Sequence, residues 1–196
     1  VPVENMKAIY EVAKEANIPV HVDGARLFNA AASVGCSVKE FTQYCDTVQI
    51  CLSKGLGAPI GSIIAGPKEF IARARKWRKR LGGGLRQVGV IAAPGLVALT
   101  KMTERLVEDH EHAKWFAGQI EEMGTLEVKN SVDTNIVVVD VKKTGYNAEQ
   151  FVELLESKGV RAVTFGPTLV RFTTHYDVTK QHIEKAVDII RNTIQQ

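Results

Sequence analysis

Long apolar runs are missing from these 196 residues. No stretch approaches the roughly 20 apolar residues that span a bilayer, and the first residues lack the charged-then-apolar layout of a secretory signal. A membrane partner is therefore not expected. Cysteine is scarce: Cys36, Cys45 and Cys51 are odd in number, show no CxxC spacing, and have no histidines at zinc-ligand intervals. That pattern excludes a disulfide framework and a metal site, and it points to reduced thiols in a cytoplasmic compartment. Aromatics make up only 7%, and the formal net charge of +3 is too mild to imply a nucleic-acid partner. Internal repeats and low-complexity segments are absent. What is present is a globular balance of 45% hydrophobic and 24% charged residues, enough for one medium domain or two small ones. Residue 1 is Val and a helical pattern begins almost at once, so the chain reads as part of something longer whose targeting segment would not be visible.

The chain is organised around Gln49 to Ser62, QICLSKGLGAPIGS. Val48, Ile50 and Leu52 alternate as a buried strand that ends at Ser53-Lys54 and opens into a glycine-rich turn. An amine at a rigid strand end is placed to attack a carbonyl, although most lysines at strand ends simply face solvent. Upstream, Met6, Ile9, Tyr10, Ala13 and Ala16 recur at helical spacing, and Pro19 to Val22 reads as a short strand running into Asp23-Gly24-Ala25-Arg26. Alternation puts His21 and Asp23 on one strand face. A helical zone from Leu27 to Tyr44, broken near Gly35, leads to the strand that ends at Lys54. Helix, strand, helix, strand with short connections predicts a parallel sheet covered by helices, with ligands beyond the carboxyl ends of the strands. Asp23 and Lys54 then share one edge.

Gly61 to Gly66 reads as a further short strand. Pro67 to Arg80 is a basic helix in which Phe70, Ile71 and Trp77 are the residues to bury, and a solvated or subunit-facing surface is favoured over a nucleic-acid site. Leu81 to Gln87 is a glycine loop that is either a hinge or an anion loop carrying Arg86. Val88 to Met123 reads as mostly helical with a kink at Pro94-Gly95, and His110 and His112, two apart, read as surface histidines. Strands at Leu126 to Val128 and Thr134 to Val141, a helix capped at Asn147, strands at Arg161 to Phe165 and Leu169 to Thr174, and a final helix from Thr179 to Ile194 describe a second, α+β domain. In its last strand Arg171 alternates with Val170 and Phe172. It is either a carboxylate-binding guanidinium facing a cleft between domains or a surface arginine paired with a nearby glutamate.

The segments HVDGARLFNA (His21 to Ala30), CLSKGLGAPIGS (Cys51 to Ser62), LGGGLRQVGVIAAPGL (Leu81 to Leu96) and LVRFTTHYDV (Leu169 to Val178) closely resemble the threonine aldolases of the aspartate-aminotransferase-like, fold-type I superfamily. The resemblance implies an α/β fold: the later part, residues 1–95, of a large domain with a mostly parallel sheet that binds pyridoxal 5'-phosphate, then a linking helix and small α+β domain over residues 96–196. It also implies roles. Lys54 would carry the cofactor covalently, Asp23 would pair with its ring nitrogen, Arg26 would lie against its ring oxygen, and Ser53, Arg86 and Lys79 would stand near its phosphate or the substrate. Arg171 would bind the substrate α-carboxylate, while His21 would support rather than catalyse. No metal is implied; a homo-oligomer and a small amino-acid substrate are. The implied reaction is cleavage of L-threonine or L-allo-threonine to glycine and acetaldehyde. The alternatives are a β-eliminating lyase or aminotransferase using the same Asp and Lys, or a non-catalytic protein using the basic Arg73 to Arg80 surface. The family's early strands, its phosphate-cupping loop and a ring-stacking imidazole have no counterpart here. The chain is therefore expected to be a fragment, or one half of a split enzyme, that binds the cofactor weakly by itself.

Overall fold

The computed structural model describes residues 1–195, which divide into two compact units, the first Val1–Leu106 and the second beginning at Val107. In the first unit α1 (Val3–Glu15), β1 (His21–Gly24), α2 (Leu27–Val34), α3 (Val38–Thr42) and β2 (Thr47–Cys51) alternate as expected. They are followed by β3 (Ser62–Ala65), α4 (Lys68–Arg80) and α5 (Gly89–Lys101). The sheet order is β1-β2-β3. β1 pairs with β2 in parallel, Asp23 opposite Gln49 and Gly24 opposite Ile50, while β3 returns antiparallel beside β2. The sheet is thus mixed: one parallel crossover through α2 and α3, then a reversal that the glycine turn after Lys54 allows. Gly35, left-handed at φ 67°, ends α2 and makes the break anticipated between the two short helices.

Leu27 and Ala31 of α2 and Phe41 of α3 are buried together, with Met6, Val48 and Ile50 packed against them. A second cluster joins Leu52, Leu56 and Ala58 to Ala98 of α5 and to Leu106. α4 buries none of its residues. Trp77, expected inside, is 57% exposed with the Arg80 guanidinium 5.2 Å from its ring centroid. Seven cationic residues on a 13-residue helix leave no continuous apolar stripe for it to join.

The second unit contains α6 (Leu106–Glu121) from its second residue on, the strands β4 (Glu127–Val128), β5 (Ile136–Asp140), β6 (Val163–Thr164) and β7 (Leu169–Thr173), and the helices α7 (Ala148–Ser157) and α8 (Lys180–Ile194). The sheet order is β4-β5-β7-β6, all antiparallel. Its core gathers Phe116 and Ile120 of α6, Val137 and Val139, Phe151 and Leu155, Val170 and Phe172, and Ile183 and Ile190. α7 begins with a two-armed capping box between Asn147 and Gln150, and α8 with one between Thr179 and His182.

The zone from Val88 to Met123 is mostly helical as expected, formed by α5 and α6 with an interruption at residues 102–105, and Pro94 sits within α5. One expectation is corrected. His110 is buried rather than on the surface. The inward stripe of α6 runs Leu106, Asp109, His110, Ala113, Phe116, Ala117, Ile120, at steps of three and four, and so passes through two polar residues. Thr174 Oγ1 donates to the Asp109 carbonyl at 2.6 Å, tying β7's end to that helix. Burial holds the His110 imidazole below its ordinary value, with the Asp109 carboxylate opposing and Lys114 adding to the shift.

Candidate functional site

Because β1 and β2 are parallel neighbours, their carboxyl ends lie at one sheet edge. Asp23 is the next-to-last residue of β1, and Lys54 follows β2 by three residues. The turn that presents Lys54 is closed on itself: Leu52 N–H donates to the Gly61 carbonyl at 2.9 Å, Ala58 N–H to Leu52 at 2.9 Å, and Gly57 N–H to Lys54 at 2.9 Å. Gly57 takes φ 72°, which a side chain would resist. Leu52, Leu56 and Ala58 point inward, and that leaves Ser53 and Lys54 exposed. Lys54 Nζ makes no hydrogen bond or ion pair among the described residues.

Two residues outside the expected set shape this turn. A Cβ on Gly55 would lie 2.7 Å from Asn29 Oδ1 and 3.2 Å from Leu106 Cδ2. Asn29 is buried on the same stretch of α2 as Leu27 and Ala31. The signal available in the sequence was one amide inside an otherwise apolar helical run, LFNAAASV.

Asp23 is exposed and accepts the Ala25 N–H at 3.1 Å through Oδ1. Arg26, at the N-cap position of α2, is half-buried. Both line a cavity of about 380 Å³ with Phe41 and Tyr44, which Lys54 does not line. His21, on the same strand face as Asp23, meets Thr47 Oγ1 through Nδ1 at 2.8 Å, an arrangement that holds β1 to β2. On β2, Cys51 Sγ lies 3.4 Å from Ser53 Oγ. Burial pushes that thiol up, but hydrogen bonds with Ser53 and Ser62 and the Lys54 ammonium outweigh it and hold the thiol below its ordinary value.

Lys79 and Arg86 are exposed, on α4 and on the loop after it. A side chain on Gly84 would meet the exposed Lys79 side chain at its Cδ, which would have to move aside, and would lie 3.2 Å from the Lys79 Cα. In the second unit Val170 and Phe172 enter the core. Arg171 lies on the opposite face of β7, its guanidinium 5.7 Å from the Phe165 ring centroid. It pairs with no carboxylate among the described residues, and its buried Nε has no hydrogen-bond partner. Nothing therefore supports the reading of Arg171 as a surface residue paired with glutamate. Among the described residues there is no group of three His, Cys, Asp or Glu able to hold a metal, and no helix is long and apolar enough to cross a membrane.

The chain is 44% identical over 182 residues to the low specificity L-threonine aldolase of Escherichia coli strain K12, covering 93% of this chain and 53% of that protein. It is 40% identical over 185 residues to the probable low-specificity L-threonine aldolase 2 of Arabidopsis thaliana, covering 93% and 52%. The chain thus spans about half the length of the curated relatives it matches. Its fold matches that of a putative L-allo-threonine aldolase from Listeria monocytogenes EGD-E, with TM-score 0.80 at 21% identity over 98% of this chain and 57% of the other. It also matches a putative aromatic amino acid beta-eliminating lyase/threonine aldolase from Exiguobacterium sp. 255-15, with TM-score 0.78 at 22% identity over 95% and 56%. The resemblance carried by the four quoted segments thus extends through most of the chain. Residues 1–144, which hold β1, β2 and the Lys54 turn, match the model of the Beta-eliminating lyase family, and the chain belongs to that family.

Proposed function

We propose that this chain is the Lys54-bearing portion of a threonine aldolase that uses pyridoxal 5'-phosphate to cleave L-threonine or L-allo-threonine to glycine and acetaldehyde. The observation that carries the reading is the parallel pairing of β1 with β2, which brings a carboxylate and an unpaired amine to one sheet edge. The residues fit the group: among the described residues Lys54 has no hydrogen bond or ion pair, Asp23 accepts a local amide through Oδ1, and the buried Nε of Arg171 lacks an acceptor. When bound, the cofactor supplies an aldehyde for the Lys54 amine and a protonated ring that draws electrons away from the substrate Cα.

The protein's part is positional and electrostatic. Asp23 keeps the proton on the ring nitrogen by ion pairing, which a neutral residue could not do. Lys54, held by the closed turn, would hold the cofactor through its amine. Arg171 grips the α-carboxylate through its guanidinium fork, which orients the bond to be broken. Arg26 would lie beside the ring, while Ser53, Arg86 and Lys79 would serve the phosphate or the substrate. With that product pair the enzyme would serve threonine breakdown and glycine supply. The exposed apolar residues Leu81, Val90 and Leu96 in and before α5 support a homo-oligomer. The half-buried free thiols support a cytoplasmic setting.

The test is to add pyridoxal 5'-phosphate, reduce with borohydride and map the modified lysine. Label on Lys54, lost in Lys54→Ala, is expected; label on another lysine with Lys54 untouched overturns the assignment. The family match also favours β-elimination as a second reading. Threonine would then yield a keto acid and ammonia, where aldol cleavage yields acetaldehyde and glycine.

A further inference from the structure

The second unit contains a cavity of about 470 Å³ that the proposed reaction does not use. Its floor is apolar, with Phe116, Val137, Phe172 and Ile183 all buried in the core. The Phe116 and Phe172 rings tilt against each other at 5.0 Å between centroids. Its rim carries three cations, Lys158 and Arg161 from the segment after α7 and Lys185 from α8, with the imidazole of His182 beside them. No aspartate or glutamate lines it.

The rim cations are not all neutralised. Arg161 is 3.6 Å from Glu156, and both are strongly exposed. Lys158 Nζ is held by Thr193 Oγ1 at 3.0 Å, and neither it nor Lys185 meets a carboxylate among the described residues. His182 Nδ1 accepts the Thr179 N–H at 3.3 Å, which leaves Nε2 as a donor. Thr173 and His175 complete the mouth.

We propose that this cavity binds a small amphipathic carboxylate, an acid with an aromatic or branched hydrocarbon body and no ammonium group. The hydrocarbon would replace water over the phenylalanine floor, and the carboxylate would meet Lys158 and Lys185. The volume lies in the range of small-molecule sites, and four cationic or donor groups on the rim disfavour an amino acid's ammonium. Phe172 faces the cavity, whereas Arg171 lies on the other face of β7. The site is therefore separate from the residue assigned above to the substrate carboxylate.

The probes are hydrocinnamate, its neutral alcohol and its amine, titrated into the isotopically labelled 196-residue chain and followed by amide chemical shifts. Saturable shifts are expected along β7 and α8, with the acid binding about tenfold more tightly than the alcohol, as two partly solvated ion pairs allow, and the amine weakest. That preference should shrink at about 0.5 M salt, where screening shortens to a few ångströms, and should vanish in the double variant Lys158→Gln, Lys185→Gln. Equal binding of acid and alcohol, an unchanged preference in the double variant, or the absence of saturable shifts in these elements overturns the proposal. No readout depends on cofactor or threonine, so this site and the proposed reaction can fail separately.

Discussion

Gly24, the residue after Asp23, is required by the approach of β1 to β2, and replacing it should loosen the first unit specifically. A Cβ built on it lies 2.7 Å from the Gln49 carbonyl oxygen and 3.2 Å from both Leu27 Cβ and Val48 Cγ2. The first obstacle is a backbone atom inside the parallel ladder and the second is a Cβ, so neither can rotate away. Relief requires the strand itself to shift. Overpacking of this kind costs ~1–3 kcal/mol, and rigid neighbours put Gly24→Ala in the upper part of that range, about 2–3 kcal/mol. At 1.4 kcal/mol per tenfold, native-state hydrogen exchange of the β1 and β2 amides should accelerate about 30- to 150-fold. Protection in β5 and β7 should stay unchanged. Gly35→Ala is the control: its Cβ would meet open space, so it should show only the cost, ~1–2 kcal/mol, of a side chain at φ 67°. Protection of β1 and β2 retained in Gly24→Ala to within about threefold, or an equal loss in β5 and β7, would refute the reasoning from close approach.

Gly55→Ala drives a methyl into Asn29 Oδ1, so it should be destabilising by ~1–3 kcal/mol in the first unit. Part of that cost should disappear in the Asn29→Ala background, and strict additivity in the double-mutant cycle would show that the two do not press on each other. Cys51 should be alkylated at lower pH than Cys45. Hydrogen bonds and Lys54 hold the Cys51 thiol down against its burial, while burial and then Asp46 push the Cys45 thiol up; iodoacetamide labelling read by mass spectrometry across neutral pH would contradict this if Cys45 reacted first. His110 carries a sign-definite pH dependence. Its folded value lies below the unfolded one, so the folded state binds fewer protons, and the second unit should lose stability as the pH falls below about 6.5. Urea unfolding should show that drop reduced in His110→Leu, and an undiminished drop would assign it elsewhere.

The elements that position the candidate site were legible because each follows a local rule. The strand through Val48 and Ile50, the strand-ending Asp23 and the glycines after Lys54 are short-range patterns that reappear in the fold, although β2 is half-buried at every residue and Leu52 lies just past its end. The same holds for the Asn147 cap, where two side chains three positions apart satisfy each other's backbone. The failures came where a polar residue occupies an inward position. His110 reads as a surface residue because an apolar stripe along α6 skips it, although the spacing from Leu106 to Ala113 passes through it and through Asp109. Trp77 failed in the opposite sense, since one large apolar residue among cations does not define a buried face.

The rigidity of the Lys54 turn and the cationic cavity escaped the sequence for a different reason. Each is made by residues whose proximity exists only after folding. Asn29 and Gly55 meet across the α2–β2 crossover, and neither bears a charge or a reactive group that would single it out. Along α8, His182, Lys185, Ala186 and Ile189 stand at steps of three and four, which a helical reading could have marked as one face. Nothing in the linear order states that this face looks onto Phe116 and Phe172, or that Lys158 stands across from it. A reactive amine is visible in a sequence because its chemistry requires a particular residue type. A packed turn or an apolar floor is not, because many combinations of Leu, Gly, Asn and Phe would serve, and only the folded contacts select the one that is present.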